Sequence, residues 1–124
     1  MVQPTGSPPG DGLTLSTEIS GASVVLRVSG VVDMLTASTL TRQVDALLDT
    51  APSWLIIDLS DVTFLASAGL EALVIAQHRA GSTTELAVVA DGPITRRPIT
   101  LTAVDQSVRV YATEGEAREA LDDR

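Results

Sequence analysis

Apolar positions change their period several times along this chain, and each change marks an element. Leu13-Thr14-Leu15-Ser16-Thr17-Glu18-Ile19 alternates apolar and polar, the period of a strand with one wet face. Ser20-Gly21-Ala22-Ser23 reads as a hairpin turn into Val24–Val31, which makes the first strand an antiparallel edge. Leu40, Val44, Leu47, Leu48 and Ala51 then recur at helical spacing, predicting an amphipathic helix over Thr36–Thr50 that Pro52 closes. Trp54-Leu55-Ile56-Ile57 is a continuous apolar run, as in a strand covered on both faces, and a polar turn begins at Asp58.

After a short loop the helical period returns over Ser67–Ala80, with Gly81 placed to end the helix. On this helix Leu70, Leu73 and Val74 form a stripe expected to be buried, while Glu71, Ile75 and Arg79 form a second at i, i+4 spacing. Leu86–Ala90 is another buried strand. Gly92-Pro93 leads to a short third helix that must begin near Thr95, so that Pro98 falls in its first turn. Val108–Tyr111 is the last strand, and Thr113 caps a helix to about Leu121 whose early Glu114 and Glu116 suit the positive end of the dipole.

The resulting order, ββαβαβαβα, predicts an α/β domain. Right-handed crossovers make most of its sheet parallel: about five strands with an antiparallel edge strand, and about four helices packed against them. The folded domain is expected over residues 13–122. Residues 1–12 hold three prolines and three glycines among polar neighbours, which predicts a mobile tail.

Composition narrows the chemistry. The chain is 44% hydrophobic, yet Trp54, Phe64 and Tyr111 are its only aromatic residues, so the core is built from Val, Leu, Ile and Ala. Without cysteine there are no disulfides, thiolate nucleophiles or zinc-thiolate sites. All eight basic residues are arginine, which removes Walker, Schiff-base and receiver-domain lysines. A net charge of −8 argues against nucleic acid, whose phosphates need a basic face, and suits solubility or steering toward a basic partner. No apolar run approaches the roughly 20 residues that span a bilayer, and the N-terminus lacks a signal-peptide pattern. A cytoplasmic protein without a membrane anchor is the expectation.

Ser67 is the leading candidate for function. It stands where the third predicted strand gives way to the second helix, and free backbone N–H groups at a helix start favour an anion. Two roles fit it: an N-cap, worth about 1 kcal/mol, or a hydroxyl that carries a phosphoryl group of about −1.5 to −2 charges. Ala66 and Ala68 keep its flanks small, and Gly69 leaves the backbone open to an approaching group. A nucleophilic serine would need a base. His78 is the one histidine and lies about 16 Å further along the same helix at 1.5 Å per residue. Ala66-Ser67-Ala68-Gly69 also lacks the leading glycine of a nucleophile elbow. No catalytic group, metal site or cofactor is expected, and His78 should face solvent. Asp33, Asp58 and Asp61 are loop carboxylates near strand ends, where α/β sheets place their sites, although turn and cap duty also explains each. Arg96-Arg97 is either a solvated helix start or a partner contact, and Ile75 is a contact candidate beside Ser67.

With these residues placed, the chain resembles the STAS-domain anti-sigma factor antagonists of bacteria, over about Leu13–Leu121. The resemblance rests on Gly30-Val31-Val32-Asp33, on Leu55-Ile56-Ile57-Asp58-Leu59-Ser60 and on Val62-Thr63-Phe64-Leu65-Ala66-Ser67-Ala68-Gly69-Leu70. It extends to Val88-Val89-Ala90, Pro93, Arg96-Arg97 and Leu101. It implies a non-enzymatic regulator of transcription. In its unphosphorylated form such a protein binds an anti-sigma factor, a GHKL-type serine kinase, and frees the sigma factor. Phosphorylation of the serine that Ser67 matches, in the motif Asp-Ser-Ser/Thr-Gly, switches it off, and a phosphatase reverses this. Asp33 matches the acidic residue of the family's Gly-x-x-Asp turn on the partner surface. The partner-binding set expected here is therefore Asp33, Ala66, Ser67, Ala68, Gly69, Glu71, Ile75 and Arg96. Ala66 departs from the motif's aspartate and Ala68 from its second hydroxyl. A STAS module that senses a small ligand or anion, or scaffolds a complex, is the other reading, as is an antagonist without phosphorylation control.

Overall fold

The computed structural model describes residues 2–6, as backbone, and 12–122. One six-stranded sheet runs in the order β1-β2-β3-β4-β5-β6. Its strands are β1 (Val2–Gly6), β2 (Leu13–Ser20), β3 (Ser23–Val32), β4 (Trp54–Leu65), β5 (Glu85–Val89) and β6 (Arg109–Tyr111). The helices are α1 (Ala37–Leu48), α2 (Ser67–Ala80), α3 (Arg96–Leu101) and α4 (Glu114–Asp122), with a single 3₁₀ turn over Val104–Gln106. Strands β1, β2 and β3 pair antiparallel, while β3 through β6 pair parallel.

Residues 2–6 correct the expected tail. They pair with β2 from Val2↔Glu18 to Gly6↔Thr14, so β2 is not the sheet's edge. An outer strand leaves a row of backbone donors and acceptors unpaired, and a returning segment can satisfy them even when its composition suggests no order. Residues 7–11, also in the expected tail, lie outside the described residues.

Strand β4 corrects the expected turn at Asp58. The strand runs on through Leu65, twelve residues in all, because β3 continues beside it to Val32↔Leu65. Two register shifts, between Arg27 and Ser29 and between Gly30 and Val31, absorb the polar stretch. At the second shift Gly30 has φ +93°, and a Cβ there would collide with the Gly12 carbonyl oxygen, which accepts from the Val31 N–H. The site can accept glycine alone. Strand β5, by contrast, stops at Asp58↔Val89, so the last seven residues of β4 overhang it.

Alternation along the strands sends side chains to two cores. Leu55 and Ile57 of β4 join Leu40, Val44, Leu70, Leu73 and Ala76 beneath α1 and α2. Ile56 joins Val25, Ala87 and Val89 against Ala117 and Leu121 of α4 on the other face. In α2 the buried face comprises Gly69, Leu70, Ala72, Leu73, Ala76 and Ala80, while Val74 is 37% exposed. The expected stripe is thus rotated by small residues: Ala72 and Ala76 let the helix lie close to the sheet where Val74 was expected to point inward. Pro98 lies in the first turn of α3 after the Thr95 cap, as its lack of an N–H requires.

Arg27 and Asp58 are register partners on the face that α4 covers. Arg27 donates to both carboxylate oxygens of Glu114, Nε at 2.8 Å and Nη2 at 2.9 Å, and through Nη1 to Glu18 at 2.7 Å. The hydrogen bonds from Arg27 hold the Glu114 carboxyl down at about 2. Burial, followed by the neighbouring Glu114 carboxyl, raises Asp58 from its ordinary value. Ser60 donates to Asp58 Oδ1 from both its N–H and its Oγ, at 2.8 and 2.5 Å. Asp58 is therefore a mid-strand latch for α4 and does not belong to a loop at the sheet's end. Asp61 also lies within β4, and it is exposed.

Candidate functional site

The parallel strands β3 and β4 end side by side, and the segments that leave them build the site. After Val32 the chain turns through Asp33, whose Oδ1 accepts from the N–H groups of Leu35 at 2.9 Å and Thr36 at 3.0 Å. Thr36 Oγ1 accepts from the Asp33 N–H at 2.9 Å and donates to the Val31 carbonyl at 2.9 Å. Asp33 is half-buried in this lattice. It holds a turn whose tip carries Met34 and Leu35, 81% and 83% exposed.

After Leu65 the chain enters α2. Ala66 is the N-cap, extended at φ −87° and ψ 172°, and no side chain caps the helix. Ser67 is the first helical residue and is exposed. This corrects the expected capping role: the hydroxyl stands one residue too late, and the residue in the capping position has none to offer. The Ala66 carbonyl accepts from the N–H groups of Gly69 at 2.9 Å and Leu70 at 3.1 Å, while the Ala66 N–H donates to Val32 at 2.8 Å. Among the described residues the N–H groups of Ser67 and Ala68 meet no backbone acceptor, as expected at a helix start.

Gly69 has a different role from the one its position suggested. It is buried, and a Cβ there would lie 2.6 Å from Leu65 Cδ1 and 2.7 Å from Val32 Cγ1. Its missing side chain lets α2 pack onto the ends of β3 and β4; it clears no path for an incoming group. Ala66 and Ala68 are half-buried beside Ser67. Glu71 is exposed one turn along the helix, and Ile75, one turn further, is 42% exposed. Arg96 is half-buried and donates from Nη1 to the Ala90 carbonyl at 3.3 Å, so its guanidinium braces the loop after β5. His78 is exposed on α2.

The structure thus gathers Asp33, Ala66, Ser67 and Ala68 at one end of the sheet, with Glu71 and Ile75 on the adjoining face of α2. It withdraws Gly69 into the core and commits Arg96 to its own loop. It adds apolar residues outside the expected partner-binding set: Met34, Leu35, Phe64, Ile94 and Leu101 are all exposed. One signal for them was present. Met34 and Leu35 stand in a turn, where polar residues usually go, and large apolar residues gathered at one end of a sheet mark a contact surface.

Chemically, this end offers an exposed hydroxyl, helix N–H groups without backbone acceptors and exposed apolar side chains. The described residues hold no group of acids and histidines placed to bind a metal, and no helix is long and apolar enough to cross a membrane. Comparison with known proteins agrees with this geometry. The STAS domain family matches residues 14–117. The anti-sigma-F factor antagonist RsfB of Mycobacterium tuberculosis is 35% identical over 103 residues, which cover 83% of this chain and 84% of that protein. The crystal structure of an anti-sigma factor antagonist from Mycobacterium paratuberculosis superposes with a TM-score of 0.87 at 41% identity, covering 94% of this chain and 99% of the other. The Bacillus cell fate determinant SpoIIAA in its phosphorylated form shares the fold alone, with a TM-score of 0.64 at 15% identity over 86% of this chain and 98% of its own. A family match across most of the chain, with relatives at this identity, places the protein in the STAS-domain family of anti-sigma factor antagonists.

Proposed function

We propose that the chain binds an anti-sigma factor kinase while Ser67 is unmodified, that phosphorylation of Ser67 releases it, and that a serine phosphatase restores it. The observation that carries this reading is the position of Ser67. It is exposed at the first residue of a 14-residue helix, beside N–H groups without backbone acceptors and between two alanines. A phosphoryl group there would meet the positive end of the helix dipole, so the fold tolerates it. Its cost falls on the complex: a dianion must be desolvated at the interface, and Glu71, one turn away, adds like charge. Release through faster dissociation is the expected consequence. The named relative and SpoIIAA, solved in a phosphorylated form, support the reading.

The test uses the anti-sigma-F factor of M. tuberculosis with ATP, followed by peptide mapping. Modification should fall on Ser67 and vanish in Ser67→Ala, and Ser67→Glu should bind at least tenfold more weakly than wild type. Modification elsewhere, or equal binding by Ser67→Glu, refutes the switch.

A further inference from the structure

Past Val89 the outer edge of β4 has no strand beside it, and the segment from Pro93 to Leu101 folds over the gap. Among the described residues no backbone hydrogen bond ties the two together. Between them lies an open groove of about 360 Å³. Phe64 and Leu65 form one wall, while Ile94, Pro98 and Leu101 form the other. Phe64 is 54% exposed and Leu101 73%.

Arg97 also lines this groove. Every other described arginine has a partner: Arg27 holds Glu114, Arg42 reaches Thr39, Arg79 faces Asp45 and Asp49, Arg96 reaches Ala90, Arg109 holds Glu85 and Arg118 reaches Glu114. The Arg97 guanidinium meets no acceptor among the described residues. In a chain of net charge −8 an unpaired arginine on an apolar wall is complementary to an acid the chain does not supply. The groove adjoins the site, because Leu65 on its wall is two residues before Ser67.

We infer that this groove seats a large apolar side chain of the anti-sigma factor with a carboxylate beside it, and that Arg97 pairs with the carboxylate. The inference rests on the function proposed above and deepens it. Ser67 would report whether the partner can stay, and the groove would select which partner comes. An apolar anchor in a pocket with an arginine at its border is the common form of an interface hot spot. Pro98, fixed in the first turn of α3, keeps that wall in place without partner contacts.

The experiment measures binding of the M. tuberculosis anti-sigma-F factor to wild type, Arg97→Lys, Arg97→Gln, Arg97→Glu and Leu101→Ser. All these changes are at exposed positions, and circular dichroism confirms the fold of each. Arg97→Lys should lose less than Arg97→Gln, and Arg97→Glu should lose most, about tenfold or more, with the salt dependence of association reduced. Leu101→Ser should weaken binding about fivefold or more. If wild type binds and Arg97→Glu and Leu101→Ser bind within twofold of it, the groove inference fails and the proposed function stands. If wild type neither binds nor is modified on Ser67, the proposed function fails and takes this inference with it. A wild-type dimer that Leu101→Ser dissolves would assign the groove to a second copy and overturn the inference.

Discussion

Replacing Ala66 by aspartate should stabilise this protein, and the structure says by how much and why. The N-cap is the one helical position where a short acid improves on alanine. Its oxygen accepts from the second or third N–H of the helix, which the N-cap's extended backbone places within reach. Ala66 already has that backbone, at φ −87° and ψ 172°, so no rearrangement is needed. The Ala68 N–H has no backbone acceptor to give up, and the half-buried position excludes part of the competing water. The capping bond should add about 1 kcal/mol, and the charge about 0.3–1 kcal/mol from the dipole. Together they give about 1.5 kcal/mol, or a rise of about 4–8 °C in Tm for a domain of this size. Urea unfolding should show a higher midpoint at unchanged slope, because the native surface is the same. Asparagine at the same position should retain the capping share and lose the dipole share, and added salt should close the gap between the two. If both variants unfold at or below the wild-type midpoint, the capping geometry assigned to Ala66 is wrong.

Gly69→Ala should destabilise by up to about 2 kcal/mol. Overpacking of the buried Val32 and Leu65 contacts costs about 1–3 kcal/mol and outweighs alanine's gain of about 1 kcal/mol in helix propensity; equal or raised stability in urea would show that α2 can shift freely. Glu114→Gln should flatten the acid limb of the stability profile. The folded carboxyl lies at about 2 against 4.5 unfolded, so its contribution is full above pH 4.5 and lost as pH falls toward 2. That contribution is at most about 3 kcal/mol. Asp58 opposes it, because a raised carboxyl favours the fold as pH falls through its own titration. Asp58→Asn should therefore give a profile that falls more steeply with acid than that of the wild type, read by urea unfolding at a series of pH values.

The alternating and helical periods made the order of elements legible, because burial on one face or two leaves period 2, period 3.6 or an unbroken apolar run. Periodicity failed where neighbours decided the outcome. Asp58–Asp61, with two aspartates and a serine, reads as a turn, but β3 offers it a ladder that no local pattern reveals. Residues 2–6 join the sheet for the same reason. Ser67 was visible because a hydroxyl before a helical run is a local signal; its exact place, first residue and not cap, depends on where β4 ends. The packing role of Gly69 was invisible, since a glycine reads the same whether it clears space for a ligand or for Val32. Arg97 became distinct from Arg96 only when the other arginines were seen to be paired.

The overhang of β4 has an experimental use. Past Asp58 no strand lies beside the outer edge of β4, so over Leu59–Leu65 the amides that face β3 can join its ladder while the others face no strand, and the two register shifts break their strict alternation. Deuterium should enter the outward amides early and the inward ones late, giving a two-tone pattern within one short segment. A partner lying against the outer edge would slow the fast set and leave the slow set unchanged. The strand beside Ser67 thus carries its own footprinting ruler, read without any label.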